Sequence, residues 1–593
     1  MYRAPVDEIG FTLKHVCGLG DLQSNQSHAE LGDDLVDAIL TEAGRFASEE
    51  IAPLNSVADE HGTPLSDGKV STPPGWRELY HAWIEGGWNG LTASPDAGGQ
   101  GLPQMLSVAA LEMWNSGSMA FAIGPTLTMG AVEAIEKHAS DELQAKYLEK
   151  LVSGEWMGTM NLTEPQAGSD LNALKARAER NEDGSYRIFG QKIFITYGDH
   201  DLTDNIIHMV LARLPDAPAG TRGISLFLVP KFLVNDDGSL GERNDVKVAG
   251  VEHKMGIHGS PTCTMIYGDE GGATGWLVGE ENRGLACMFT MMNNARLAVG
   301  VQGLGVAERA YQHALGYAVD RKQGRAPGET QEGMSPIARH PDIKRMLLSM
   351  KSKTQVARAI CYACAHAIDM SNIAEDADSK TFWSERASLL TPIAKALPTD
   401  FGVEVASLGV QIHGGMGYIE ETGAAQHLRD ARIAPIYEGT NGIQSIDLVM
   451  RKLPLSGGEH IKSFIQELQE IADEVAVSNR PEFGSTAERL AASIEDLREA
   501  TDYMATAQAE GRVADALSGA TPYLRVAGLV LGGALLAKGA LRSTSEPAQK
   551  LGERTLLARS FCETVLGETA GLKSDILLSA EAIQAFDAEA LAS

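Results

Sequence analysis

The spacing of apolar positions changes twice along the chain, dividing it into helical, β and again helical territory. Over residues 34–52 apolar side chains recur at helical spacing (Leu35, Ile39, Ala43, Phe46), and residues 106–114 and 131–151 continue the type. Breaks rich in Pro and Gly at 62–74 and 95–103 separate them. From about residue 156 the period shortens. Residues 186–197 (YRIFGQKIFITY), 206–214, 224–234 and 246–251 are short, rich in β-branched and aromatic residues, and divided by Gly, Asp, Asn and Pro clusters, the pattern of an antiparallel barrel or sandwich. After about residue 284 helical spacing returns in 286–321, 340–373, 380–412 and 442–452, stretches long enough to pack as a bundle. LPLSGGEH at 453–460 reads as a linker, and the remainder to residue 593 is helical and Ala-rich. Four domains are expected: a helical one (1–155), a β domain (156–283), a second helical one (284–452) and a helical extension (453–593).

Composition narrows the function classes. With 44% apolar and 22% charged residues the chain is an ordinary globular sequence. No window reaches the roughly 18 apolar residues expected of a membrane span; the nearest, 526–537, reads as a buried helix. The start, MYRAPVDEIGFTLKHV, has acids where a signal peptide has basic and then apolar residues, so a cytoplasmic location is expected. Six scattered cysteines suit a reducing compartment and free, buried thiols. Cys361 and Cys364, with His366 nearby, lie in an apolar helical pattern with no second ligand pair, so packing is expected there and a metal site is not. A net charge of −29 argues against a nucleic-acid surface.

The stretch ARIAPIYEGTNGIQSIDL at 431–448 places an acid where chain geometry makes acids useful. Glu438 follows the bulky Tyr437 and precedes Gly439, Thr440, Asn441 and Gly442, at a loop apex before a new helix. Glycines permit positive φ and close approach of a ligand, and a helix start offers free N–H groups to an anion. A carboxylate held against Tyr437 and partly desolvated has a raised pKa and can take a weakly acidic proton; a solvated turn acid is the alternative reading. Elsewhere TEPQAGSD (163–170) presents backbone and hydroxyl donors, either to a ligand or to its own turn. Phe194, Ile195 and Thr196 put an aromatic and a hydroxyl on one strand face, Arg321-Lys322-Gln323 ends a helix, and QIHGGMGY (411–418) turns at paired glycines. Gly300, Gly303 and Gly305 follow no strand, so close helix packing is expected of them rather than a dinucleotide loop.

Taken in order, TEPxAGSD, FIT, RKQ, QIxGGxGY and LRDARIxxIYEGTxxIQ form a highly specific series, and over roughly residues 35–450 the chain resembles the acyl-CoA dehydrogenases. The resemblance implies an α+β multidomain fold: an N-terminal helical domain, a central antiparallel β-barrel domain and a C-terminal four-helix bundle, followed here by the additional helical extension. It implies non-covalent FAD, with Thr163 and Ser169 at the flavin and its phosphate region and Phe194, Ile195 and Thr196 along the flavin face and edge. Arg321 and Gln323 would reach the FAD of a neighbouring subunit, Gln411, Gly414 and Gly415 would surround the same ADP half, and Thr440 would bind FAD beside the catalytic loop. Glu438 becomes the base that removes the α-proton of an acyl-CoA while a hydride leaves the β-carbon for flavin N5, giving a trans-2-enoyl-CoA. The thioester oxygen would be polarised by the Glu438 N–H and a flavin ribityl hydroxyl, one such donor being worth roughly 3–4 kcal/mol. Ser169, Arg296, Tyr437 and Gly439 would line the substrate. Some relatives carry the base immediately before an arginine on an earlier helix; the matching pair here is Ala295 and Arg296, which leaves Glu438 without a competitor, and a structural helix arginine is the other reading of Arg296.

Two departures stand out: Phe194 replaces a common tryptophan, and GRAPGETQEGMSPIARHP follows Gln323 in place of a phenylalanine-glycine continuation. Length, start and tail are most like a large bacterial subgroup, for which a short, thioether-bearing acyl-CoA is the expected substrate. An electron-transfer flavoprotein is the expected acceptor and a homodimer the expected assembly. The alternatives are a general fatty acyl-CoA dehydrogenase, an acyl-CoA oxidase on the same scaffold, and a non-catalytic DNA-binding flavoprotein. The last needs a basic surface, whereas in 453–593 acids outnumber bases nearly two to one.

Overall fold

The computed structural model describes residues 2–330, 332–543 and 547–592. The chain groups into two compact units, one of Arg45–Pro103 with Gly117–Ala295 and the other of Met1–Gly44, Gln104–Ser116 and Arg296–Ser593.

The first unit is built on an eight-stranded sheet: β1 (Met157–Asn161), β2 (Arg177–Arg180), β3 (Tyr186–Thr196), β4 (Ile206–Arg213), β5 (Ile224–Pro230), β6 (Val246–Val251), β7 (Thr262–Tyr267) and β8 (Ala273–Val278). Its order is β6-β7-β3-β8-β5-β4-β1, with β2 paired to both β3 and β4. All seven residues of β5 and seven of the eight in β4 are buried, which explains their unbroken apolar sequence: a strand covered on both faces has no reason to alternate. The expectation of a purely antiparallel sheet is corrected at one edge. β1 runs parallel to β4, with Thr159 opposite His208, and Arg177 of β2 pairs with Arg213 in the parallel sense. The chain between β1 and β4 passes through β2 and β3, a connection long enough for parallel pairing. β3 is also irregular. Between Lys192 and Ile195 its register against β7 slips by one residue, and Phe194 there has φ 61°, the signature of a bulge that re-aims a side chain.

The second unit is helical. Its helices are α1 (Gln104–His138), which belongs to it as far as Ser116, α2 (Gly284–Asp320), which belongs to it from Arg296, α3 (Pro341–Ile373), α4 (Ala377–His413), α5 (Ala424–Ala431) and α6 (Asn441–Asp447). The extension adds α7 (Glu459–Val477), α8 (Thr486–Ala509) and α9 (Ala520–Arg542), followed by shorter helices. The glycines of α2 do pack helices closely: a Cβ on Gly300 would stand 1.9 Å from the Ala394 carbonyl oxygen of α4, and one on Gly303 2.5 Å from that of Pro398. The extension packs on the same helices, since a Cβ on Gly528 of α9 would meet Leu397 at 2.8 Å and one on Gly532 would meet Val356 at 2.3 Å.

Two further expectations change. The segments 106–114 and 131–151 are read as two helical stretches, yet α1 runs through the whole of the gap between them, with Pro125 inside it and non-helical dihedrals only at Ser118. Also, α1 and α9 are long and apolar enough to cross a membrane, with mean hydropathies of 1.3 and 1.6 over their best windows. In both, 78% of that window is buried inside the protein, as in a core helix apolar all round.

Candidate active site

Between α5 and α6 the chain tightens through turns, the Tyr437 N–H bonding the Ile433 carbonyl at 3.2 Å and the Asn441 N–H that of Pro435 at 3.0 Å. Glu438 and Gly439 then take left-handed backbone in succession, φ 54° and 82°. For Gly439 this is inexpensive, whereas for a glutamate it persists only when its surroundings over-determine it. The loop is held on every side. Thr440 caps α6, its Oγ1 accepting from the Ile443 N–H at 3.2 Å. The Tyr437 hydroxyl donates to Gln302 of α2, and the Gln444 amide donates to the Glu438 and Gly439 carbonyls at 3.4 Å. From α4, Lys395 Nζ donates to the Ala434 carbonyl and to Asn441 Oδ1, both at 2.8 Å.

Glu438 itself is half-buried. Burial pushes its carboxyl group up, while the Arg296 and Lys395 cations pull it back. Arg296 of α2 is 7% exposed and 3.5 Å from Asp447, which Arg451 shares at 2.7 Å. Its Nε is buried with no partner among the described residues. The Glu438 N–H likewise donates to no acceptor among the described residues, which leaves it available to a ligand oxygen.

In the other unit the TEPQAGSD loop lies against β3, where the Ile193 N–H bonds the Thr163 carbonyl at 3.0 Å. That bond brings Thr163 beside the bulge. Phe194 projects from the bulge with 58% of its surface exposed, Ile195 is buried, and Thr196 is half-buried opposite Thr262. Ser169 is exposed farther along the loop. What fixes the loop is a buried pair, Glu164 and Lys192, 2.8 Å apart. Burial pushes the Glu164 acid up, but Lys192 and the Lys175 and Ala176 N–H donors together outweigh it and hold it below the usual range. For Lys192 burial wins and brings the ammonium down to about 8.

The remaining expected residues are apart from Glu438. Arg321 and Gln323 are exposed just beyond α2, in a loop closed by the Gln323 N–H to the Ser335 carbonyl at 3.1 Å. Arg296 lies on α2 roughly 36 Å before its end at Asp320, at 1.5 Å per residue. Gln411, Gly414 and Gly415 are exposed where α4 ends, and a Cβ on either glycine would meet open space. The reading by sequence missed Lys395, Asn441, Gln302, Glu164 and Lys192. The usable signal for Lys395 was a lysine inside the apolar helical run TPIAKALPTDFGV, five residues before the run's other charge, Asp400, a position that charged residues rarely take unless paired. All six cysteines are free and buried, and no metal-holding cluster of His, Cys, Asp or Glu occurs among the described residues.

Family models match along most of the chain: "Acyl-CoA dehydrogenase, N-terminal domain" over residues 34–155, "middle domain" over 159–269, "C-terminal domain" over 282–453, and "Acetyl-CoA dehydrogenase C-terminal like" over 461–587. The chain belongs to the acyl-CoA dehydrogenase family of enzymes, whose cofactor is FAD. It is 43% identical over 585 residues, 97% of this chain and 98% of the relative, to 3-methylmercaptopropionyl-CoA dehydrogenase of Ruegeria pomeroyi. Its fold is like that of Caenorhabditis elegans ACDH-11 in complex with C11-CoA (TM-score 0.78, 21% identity, covering 95% of this chain and 92% of that one). It is also like that of an acyl-CoA dehydrogenase from Bacillus anthracis complexed with FAD (TM-score 0.73, 22% identity, 94% and 89%).

Proposed function

We propose that this enzyme dehydrogenates a short acyl-CoA, 3-methylmercaptopropionyl-CoA foremost, to the trans-2-enoyl-CoA, with Glu438 taking the α-proton. The observation that carries the reading is the Glu438 loop: a half-buried carboxylate on left-handed backbone, pushed towards neutrality by burial and steadied by two buried cations. That balance suits a general base, which works best with a pKa near the working pH and contributes about 10² to 10⁴ in rate. The free Glu438 N–H polarises the thioester oxygen, so that the α-proton becomes acidic enough to remove. Arg296, Tyr437, Gly439 and Ser169 line the substrate. The 43% identity to the Ruegeria enzyme supports the thioether substrate.

The residues present fit FAD. The bulge leaves Phe194 exposed beside Thr163 and Thr196, a flat apolar face with hydroxyl and backbone donors around it, and Gly414 and Gly415 leave room for a ligand at the chain surface. The chemistry FAD supplies when bound is acceptance of the hydride from the β-carbon. Thr163, Ser169, Phe194, Ile195, Thr196 and Thr440 would hold its flavin half, and Arg321, Gln323, Gln411, Gly414 and Gly415 its ADP half. The roughly 36 Å of α2 between Arg296 and the helix end that Arg321 follows supports an ADP half completed by a second copy, hence a homodimer. The four domains 1–155, 156–283, 284–452 and 453–593 are the working division. Six free, buried thiols suit a cytoplasmic enzyme, and an electron-transfer flavoprotein is the proposed electron acceptor.

The test is Glu438→Gln, with a panel from propionyl- to palmitoyl-CoA plus 3-methylmercaptopropionyl-CoA and a dye acceptor. The expected variant is yellow and inert, and the expected wild type prefers the thioether substrate. A variant that keeps more than a few per cent of turnover removes the base assignment. Equal rates across the panel remove the narrow substrate, and peroxide formed without the dye makes the enzyme an oxidase.

A further inference from the structure

We infer that Lys395 is the positioning residue for the base, its ammonium tying both flanks of the Glu438 loop to α4. The inference rests on the reading of Glu438 above.

The geometry is that of a strut. Lys395 is wholly buried, and its two acceptors straddle the base: the Ala434 carbonyl lies four residues before Glu438 and Asn441 Oδ1 three after, each at 2.8 Å. Asn441 is itself aimed. Its Nδ2, with two N–H groups, lies 2.8 Å from Asp400 Oδ1, 3.0 Å from Thr399 Oγ1 and 3.2 Å from the Ala396 carbonyl, acceptors that share its two hydrogens and all lie on α4. One helix therefore fixes the lysine and the asparagine together, and the strained left-handed step at Glu438 and Gly439 falls between the two anchors. Strain of that kind lasts only where the surroundings enforce it.

Charge adds to the geometry. Glu438 and Asp400 are the anions acting on Lys395, and Arg296 the opposing cation; Arg296 and Lys395 are the cations acting on Glu438. Burial brings the Lys395 ammonium down to about 7, against the pull of the two anions. Behind Arg296, Asp447 also pairs with Arg451 and Lys452, so that guanidinium already has an anion of its own. Lys395 donates two of its three N–H bonds to neutral acceptors, and Glu438 is the first of the two anions acting on it. A buried lysine serving the fold alone, once replaced, lowers the melting temperature by stranding its two acceptors but leaves the pH profile where it was. A lysine serving the base moves the profile as well.

The experiment compares Lys395→Met, Lys395→Gln and Lys395→Arg with wild type and Glu438→Gln, reading flavin content, melting temperature and the pH profile of kcat with an acyl-CoA and a dye acceptor. The neutral variants are expected to retain flavin and fold, to lose about 10- to 100-fold in kcat through a misplaced base, and to move the acidic limb of the profile upward by about one unit or more, because a lost cation no longer favours the carboxylate. The arginine variant is expected to keep the limb at its wild-type position. Neutral variants with unchanged kcat and an unmoved limb overturn the proposal. So does loss of flavin or fold in both, which would make Lys395 a support of the fold and not of the base. Glu438→Gln separates the two readings: if it turns over, the base assignment has failed; if it is inert while the neutral variants behave as wild type, only Lys395 has.

Discussion

Glu164 and Lys192 have 3% and 0% of their side chains exposed and stand 2.8 Å apart, with Lys192 Nζ also donating to the Leu162 carbonyl at 3.0 Å. Removing one member of such a pair leaves an uncompensated buried charge, a loss of about 3–5 kcal/mol. Lys192→Met should therefore lower stability by about 3 kcal/mol, and because the pair pins the Thr163 loop beside Phe194, it should also shed FAD on gel filtration more readily than wild type. Adding Glu164→Gln should recover part of the loss, since the stranded charge is gone; a double variant no better than the single shows that the two residues do not act as a pair. The sequence pointed to Thr163 and Ser169 in this loop and passed over the acid between them. A lone glutamate in a turn reads as solvated, and 28 residues separate it from the lysine that makes it otherwise.

At the level of elements, length decided what could be read in advance. α3 and α4 span 33 and 37 residues, long enough for periodicity to mark them within a few residues. β1 reads MGTMN, with one β-branched residue and a glycine, and gave no strand signal; only its pairing with β4 makes it one. The bulge at Phe194 was invisible because a register slip depends on the partner strand. The glycines of α2 were legible as packing, and they carry a prediction. Alanine at Gly300 would place its Cβ 1.9 Å from a backbone oxygen of α4, and no side-chain rotation relieves a clash with backbone. Gly300→Ala should cost about 1–3 kcal/mol as the helices part, read as a lower urea midpoint with unchanged slope. Gly316, exposed on the same helix with nothing near its Cβ position, is the control: alanine there should stabilise by up to about 1 kcal/mol. If both variants unfold alike, the close approach of α2 to α4 is not what holds Gly300.

Across the whole molecule the stability profile should be governed by histidines kept neutral. In the β unit burial drives His200 well below its ordinary value and His208 down to about 3. In the helical unit it brings His313 to about 4 and lowers His413 and His427. His28, His138, His366 and His460 lean the same way. Each binds its proton more readily in the unfolded chain, so each contributes stability that is present above pH 6.5 and is lost as the pH falls towards the folded value. Four acids oppose them. Glu136, Asp369, Asp400 and Glu438 are raised by burial, Asp369 to about 7, so they protonate first in the folded state and add stability as the pH falls from neutrality. With His200 and His427 driven well below their ordinary value and His208 and His313 to about 3 and 4, the apparent melting temperature should fall from pH 6.5 to pH 4, before the paired carboxylates such as Glu8, held at about 2, begin to lose their partners. His208→Asn supplies the internal check. His208 Nδ1 lies 2.8 Å from Thr159 Oγ1 across the parallel β1–β4 pairing, and an asparagine can keep a hydrogen bond there without a titrating group. The variant should be less stable than wild type at pH 7 and should lose less on going to pH 4.5, because one of the protons taken up on unfolding has been removed; a wild-type melting temperature that stays level between pH 6.5 and 4.5 would show that the raised acids, and not the buried imidazoles, set the acid limit of this fold.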